Sequence, residues 1–126
     1  MDWLGWFVPR GLLRRPLTES LAPPDPADLE QLRELRELGS RLELPHPVRA
    51  FIVFSAEKEA RSAIDALGRE GFSCKVRADA AGSWRVTAQS SLVPTPGRIT
   101  RLRERLTGTS EPWGGRYAGW DAPPVR

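Results

Sequence analysis

Two residue types that build many small catalytic and metal sites are almost missing from this 126-residue chain, which has one histidine, His46, and one cysteine, Cys74. A lone cysteine excludes an internal disulfide and gives no metal-ligand spacing. A histidine-based triad or metal site would have to use His46, which stands between Pro45 and Pro47 in an extended connector. That setting suits a solvated or locally hydrogen-bonded ring, not a positioned base. Cys74 alternates with Phe72 and Val76, the pattern of an inward-facing, inert thiol. No apolar run reaches membrane-spanning length. The start Trp3-Leu4-Gly5-Trp6-Phe7-Val8 is too short for a signal-peptide core, has no basic residue ahead of it and stops at Pro9. No glycine-rich phosphate loop opens a helix, because Gly114-Gly115 precedes a strand. These absences point to a cytoplasmic protein that is not an enzyme and uses no cofactor or metal.

What is present is unevenly distributed charge. The net charge is +3, yet residues 25–47 hold six acids against three arginines and residues 48–126 hold thirteen basic residues against eight acids. A basic body attracts RNA, anionic lipid or an acidic protein, and sign alone does not choose among them. The length allows one small core. Twelve prolines and eleven glycines suggest irregular ends. Residues 1–24, with Pro9, Pro16, Pro23 and Pro24, are expected to form a flexible leader containing Trp3, Trp6 and several arginines. Pro9 and Gly11 interrupt any continuous amphipathic helix there, so membrane contact by the leader is disfavoured.

Order is expected from Asp25-Pro26, a helix cap followed by proline at the first helical position. Leu29, Leu32, Leu35 and Leu38 line one side of that helix, and Gly39 stops it. Residues 48–54 (VRAFIVF) predict a central strand. Ser55 is expected to cap a helix with Ala56, Ala60, Ala63, Ile64 and Leu67 on one face, ended by Gly71. Residues 72–78 alternate, a turn follows at Ala81-Gly82-Ser83, and Trp84, Val86 and Ala88 alternate again as the hairpin partner. Thr95-Pro96 opens a last helix carrying Ile99, Leu102 and Leu106, stopped at Gly108. Residues 114–120 (GGRYAGW) then give a closing strand entered through a tight turn. The order implies an α+β fold: a ferredoxin-like split β-α-β sandwich, βαββαβ, with a four-stranded antiparallel sheet and an additional N-terminal helix. The domain spans residues 25–122, followed by a tail at 123–126.

Alternation places Phe72, Cys74, Val76, Trp84, Val86 and Ala88 toward the helices. Arg49, Phe51, Val53, Lys75, Arg77, Arg85, Thr87 and Gln89 fall on the other face. Phe51 and Val53 need cover, for which the first helix, packed on the sheet or over its edge, is the nearest candidate. Arg49, Phe51, Lys75, Arg77 and Arg85 are candidate RNA contacts, since such sheets can stack bases on aromatics and hold phosphates with cations. Against RNA, the second central strand has no outward aromatic and the signature of the RNA-recognition motif is absent. Arg98, Arg101 and Arg105 form a basic stripe on the last helix, suited to an acidic partner or to solvent. Tyr117 and Trp120 bring large apolar surfaces to the closing strand.

Several segments together resemble a known family. They are residues 32–42 (LRELRELGSRL), residues 48–55 (VRAFIVFS), Gly71-Phe72, residues 84–88 (WRVTA), Pro94-Thr95-Pro96 before residues 102–106 (LRERL), and residues 114–122 (GGRYAGWDA). They are similar to the family of regulator of ribonuclease E activity B over about residues 28–122, with residues 114–120 the most specific part. The resemblance implies a small non-enzymatic protein that binds a ribonuclease E-type endoribonuclease and lowers its cleavage of RNA. It brings no catalytic residues and no cofactor. Tyr117, Gly119 and Trp120 match the family's closing motif, where they are expected to shape the strand end and are candidates for partner contact with Arg98, Arg101 and Arg105. Better-known members tend to be acidic, whereas this chain has a sequence pI near 9.7. A ferredoxin-like RNA-binding module using the basic sheet face is the alternative.

Overall fold

Strict alternation of buried and half-buried residues along His46–Phe54 shows a strand with one side in the core. In this computed structural model residues 13–126 are described, and the leader's Trp3, Trp6 and Phe7 lie outside the described residues. The elements are α1 (Pro26–Glu37), β1 (His46–Phe54), α2 (Glu57–Arg69), β2 (Ser73–Ala78), β3 (Trp84–Leu92), α3 (Pro96–Ser110) and β4 (Arg116–Asp121). The strands form one four-stranded sheet in the order β2-β3-β1-β4. Every neighbouring pair is antiparallel. The fold is therefore α+β, and its core lies between one sheet face and the helices. Val48, Ala50, Ile52, Phe54, Val86 and Ala88 meet Ala60, Ala63, Leu67, Ile99, Leu102 and Leu106 there.

Two caps stand where the sequence places them. The Asp25 carboxylate accepts from the Ala27 amide at 2.8 Å, and the Thr95 hydroxyl accepts from the Arg98 amide at 3.1 Å. Each satisfies an amide that the first helical turn leaves without a partner. Other expectations need correction. The residue preceding α2 is Ala56, with no side-chain cap, so Ser55 does not perform that role. Gly108 lies inside α3, which runs on to Ser110 before a 3-10 turn at Glu111–Trp113. His46 and Pro47 belong to β1, not to a connector. In α1 the inward side is Asp28, Leu32 and Leu35, while Leu29 and Leu38 are 44% and 49% exposed.

Helix α1 packs against α3 in the helical layer and reaches the outer strand β4, leaving Phe51 and Val53 without the cover expected from it. The physical reason is its inward carboxylate. Asp28 needs cationic and N–H partners, and the α3–β4 junction supplies them.

The chain before α1 is also engaged. Leu17 is buried, Leu13 packs on the core, and the Arg14 and Ser20 amides donate to the carbonyls of Glu70 and Gly97. At Gly97 an added Cβ would meet the carboxylate of Glu19, the movable end of a half-exposed side chain on this strap. At the other end, the Arg41 amide donates to the Val125 carbonyl, and the Val125 amide donates to Ser40 Oγ.

Candidate interaction surfaces on the sheet and its edges

Residues at odd positions of β1 and β3 share the face opposite the helices, because cross-strand partners point the same way. The register pairs Phe51 with Thr87, Val53 with Arg85 and Arg49 with Gln89. On β2 it pairs Lys75 with Thr87 and Arg77 with Arg85. All five residues expected to meet RNA therefore lie on one surface: Arg49, Phe51, Lys75, Arg77 and Arg85. Their environments differ. The Arg49 guanidinium makes two hydrogen bonds to the Asp121 carboxylate, at 2.7 and 2.9 Å. Arg85 lies 3.6 Å from Asp79. The Arg85 and Arg49 guanidinium carbons also lie 4.9 and 5.6 Å from the Phe51 ring centroid. Two cations thus dress the ring that a base would have to stack on. Lys75 and Arg77 are exposed. Asp121, which balances this face, was not singled out from sequence; its place opposite Arg49 follows only from the strand register.

The β4 junction is a denser constellation. Asp28 is 2% exposed and accepts from Arg103 Nη2 at 2.8 Å, Arg103 Nε at 3.3 Å and the Trp120 indole at 3.0 Å. Arg103 in turn lies 4.6 Å from the Tyr117 ring centroid. Partial desolvation works against the charge on Arg103, but the Asp28 hydrogen bonds and charge outweigh it and raise its pKa. Burial, aided by the Asp28 charge, also raises the pKa of Tyr117. Sequence reasoning missed both Asp28 and Arg103. The available signal was an acid at helical spacing from Leu32 and Leu35, and an arginine adjoining Ile99, Leu102 and Leu106.

The closing motif explains how both aromatics reach this junction. Tyr117 pairs with Ile52 and Trp120 with Ala50, so β4 spends one residue more than β1 between the two pairs. That bulge is centred near Gly119, at φ +106, a region that side chains rarely adopt. It turns Tyr117 and Trp120 to the same face, which simple alternation forbids. Gly115 serves a different need. An added Cβ would fall 2.8 Å from the Phe54 ring and from Ser110 Cβ.

Arg98, Arg101 and Arg105 hold the strap. Arg98 lies 3.7 Å from Glu19, Arg101 donates to the Glu19 carbonyl at 3.4 Å, and Arg105 donates to the carbonyls of Arg15 and Pro16. Desolvation, reinforced by the nearby Arg15 charge, lowers the pKa of Arg105. Trp120 is buried and Tyr117 half-buried. His46 is fully buried, its Nδ1 within 2.7 Å of the Leu44 carbonyl and its Nε2 within 2.5 Å of Ser40 Oγ. The ring is locally hydrogen-bonded, and Ser40 links it to the tail. Burial pushes the Cys74 thiol up to about 12, which keeps it protonated and unreactive at neutral pH. Among the described residues no group of three or more His, Cys, Asp or Glu side chains is placed to hold a metal ion. No helix among them is long and apolar enough to cross a membrane.

What the geometry defines is an α+β domain with Asp28, Arg103 and Trp120 bonded together at one sheet edge and the cations Lys75 and Arg77 exposed at the other. Beyond that class, the profile of the family described as Regulator of ribonuclease activity B matches residues 26–122, from the first residue of α1 to just past β4. The chain belongs to that family, whose members regulate ribonuclease activity. The search for similar curated proteins returns no match.

Proposed function

We propose that this protein acts in the cytoplasm as a non-enzymatic regulator that binds a ribonuclease E-type endoribonuclease and lowers its cleavage of RNA. The family match across the domain carries this reading. We take residues 25–122 as the regulator domain, residues 1–24 as a leader whose described part straps onto it, and 123–126 as the tail. The architecture is ferredoxin-like on this reading, supported by two helices lying on one side of an antiparallel β2-β3-β1-β4 sheet. Arg98, Arg101 and Arg105 contribute by fixing the strap, and Tyr117 and Trp120 by building the β4 edge. Contact with the enzyme falls to the basic sheet face and its β2 border.

The alternative, direct RNA binding on that face, draws support from the cations Arg49, Lys75, Arg77 and Arg85. The guanidinium cover on Phe51 weakens it by occupying the stacking surface. The test is cleavage of an RNA substrate by a purified ribonuclease E-type enzyme with and without this protein, together with co-purification after nuclease treatment. Slower cleavage and nuclease-resistant association are expected. Unchanged cleavage at saturating protein, without association, overturns the regulator reading. Binding that depends on intact RNA and weakens steeply with salt supports the alternative.

A further inference from the structure

The two outer strands of the sheet end differently. At β4, Gln31 of α1 donates to the Trp120 carbonyl, and the bulge distorts the strand. At β2, among the described residues, there is a strand neighbour on one side only. A concave surface of about 950 Å³ runs from the open sheet face, where Arg49, Phe51, Arg85, Thr87, Gln89 and Asp121 line it, out to this border. At the border it takes in Cys74 and Val76 from the helix-facing side of β2, Ile64 and Arg61 from α2, Lys75 and Arg77 from the opposite side, and Asp79 at the strand end. A groove that includes both faces of one strand has the shape left by a missing neighbour.

From this border we infer that β2 accepts an extended, acidic segment of a partner protein as a fifth, added strand. A strand paired there would send alternate side chains to opposite sides of the sheet. One set would lie over Cys74, Val76 and Ile64 and is therefore apolar. The other set would stand beside Lys75 and Arg77 and is therefore acidic. The same cations select against a second copy of this chain. Antiparallel pairing of two β2 strands about a twofold axis at Val76 would set Lys75 of each copy against Arg77 of the other, and like charges facing each other are destabilising. The occupant is thus a different chain carrying the complementary pattern. This rests on the reading that the partner is a protein, and it names the segment of that partner that is bound.

The probe is a labelled peptide alternating glutamate and valine, with a lysine–valine peptide as control, titrated into the full-length protein by fluorescence anisotropy. Hydrogen exchange of the β2 amides is followed in parallel. The glutamate peptide is expected to bind, to slow exchange in β2, and to lose about tenfold in affinity to Arg77→Glu. That variant should remain folded, because the new carboxylate faces Arg85 across the β2–β3 pair. Equal binding of both peptides, no loss with Arg77→Glu, or binding without β2 protection each overturns the inference. Displacement of the peptide by a short RNA, with β2 exchange unchanged, overturns it in favour of a phosphate-binding face. The two readings fail separately. A ribonuclease that binds Arg77→Glu as it binds the parent protein, with no β2 protection, removes the added strand and leaves the regulator. Peptide seated on β2 without any ribonuclease association does the reverse.

Discussion

The β4 edge and the β2 edge solve the same problem in opposite ways. An outer strand exposes backbone groups that invite pairing. At β4 the answer is structural: α1 lies alongside, Gln31 bonds the Trp120 carbonyl, and Asp28 ties the indole to Arg103. At β2 the answer is electrostatic, since Lys75 and Arg77 charge the border while leaving it accessible. The first solution consumes its polar groups internally and strengthens the fold. The second leaves charge exposed at the surface, so the two edges should respond to substitution in different measurements.

Trp120→Ala should cause the largest loss of stability, about 3–5 kcal/mol in urea unfolding, because it empties a buried aromatic site and leaves Asp28 short of a donor. Arg103→Ala should follow at about 2–3 kcal/mol, below the cost of breaking a fully buried pair because the guanidinium keeps some water contact. A loss under about 0.5 kcal/mol would show that the Asp28–Arg103 pair does not anchor α1. Gly119→Ala should cost about 1–2 kcal/mol by forcing a side chain to a positive φ. A change in near-ultraviolet circular dichroism should accompany it as the bulge shifts under Trp120. The alkaline limb tests burial beside the open edge. The folded Cys74 thiol resists ionisation up to about 12 while the unfolded thiol ionises near 9.0. Its contribution to stability is therefore complete below 9.0 and is lost as pH rises from there toward 12. A stability curve flat across that range would place Cys74 in contact with water. Smallest of all, Arg77→Glu should change stability by less than about 0.5 kcal/mol while weakening partner binding, the inverse of the β4 variants.

Much of this was legible in sequence wherever a local rule governs. The Asp25 and Thr95 caps, the alternation in β1 and β3, and the inward set Phe72, Val86 and Ala88 depend on residues near one another in the chain. The β4 junction was hidden because its logic is tertiary. Asp28 and Arg103 each resemble a surface charge on their own helix, and only the packing of α1 beside α3 makes them partners. The same packing explains why Leu29 and Leu38, correctly spaced for a stripe, remain exposed while Asp28 takes the inward place. Arg98, Arg101 and Arg105 were visible as a stripe, but what they hold was not. The strap reaches them from more than seventy residues earlier in the chain.

Layering the helices on one side of the sheet also separates charge in space. The helical layer mixes Glu30, Glu34 and Glu37 with Arg33, Arg36 and the arginines of α3, whereas on the opposite face Arg49, Lys75, Arg77, Arg85 and Arg116 outnumber Asp121. The molecule is thereby electrically polar, and an approaching anionic surface would exert a torque on it before any contact forms. Encounters would begin with the sheet turned toward the partner, so association should slow as salt shortens the reach of that field even where the final complex is held by uncharged contacts.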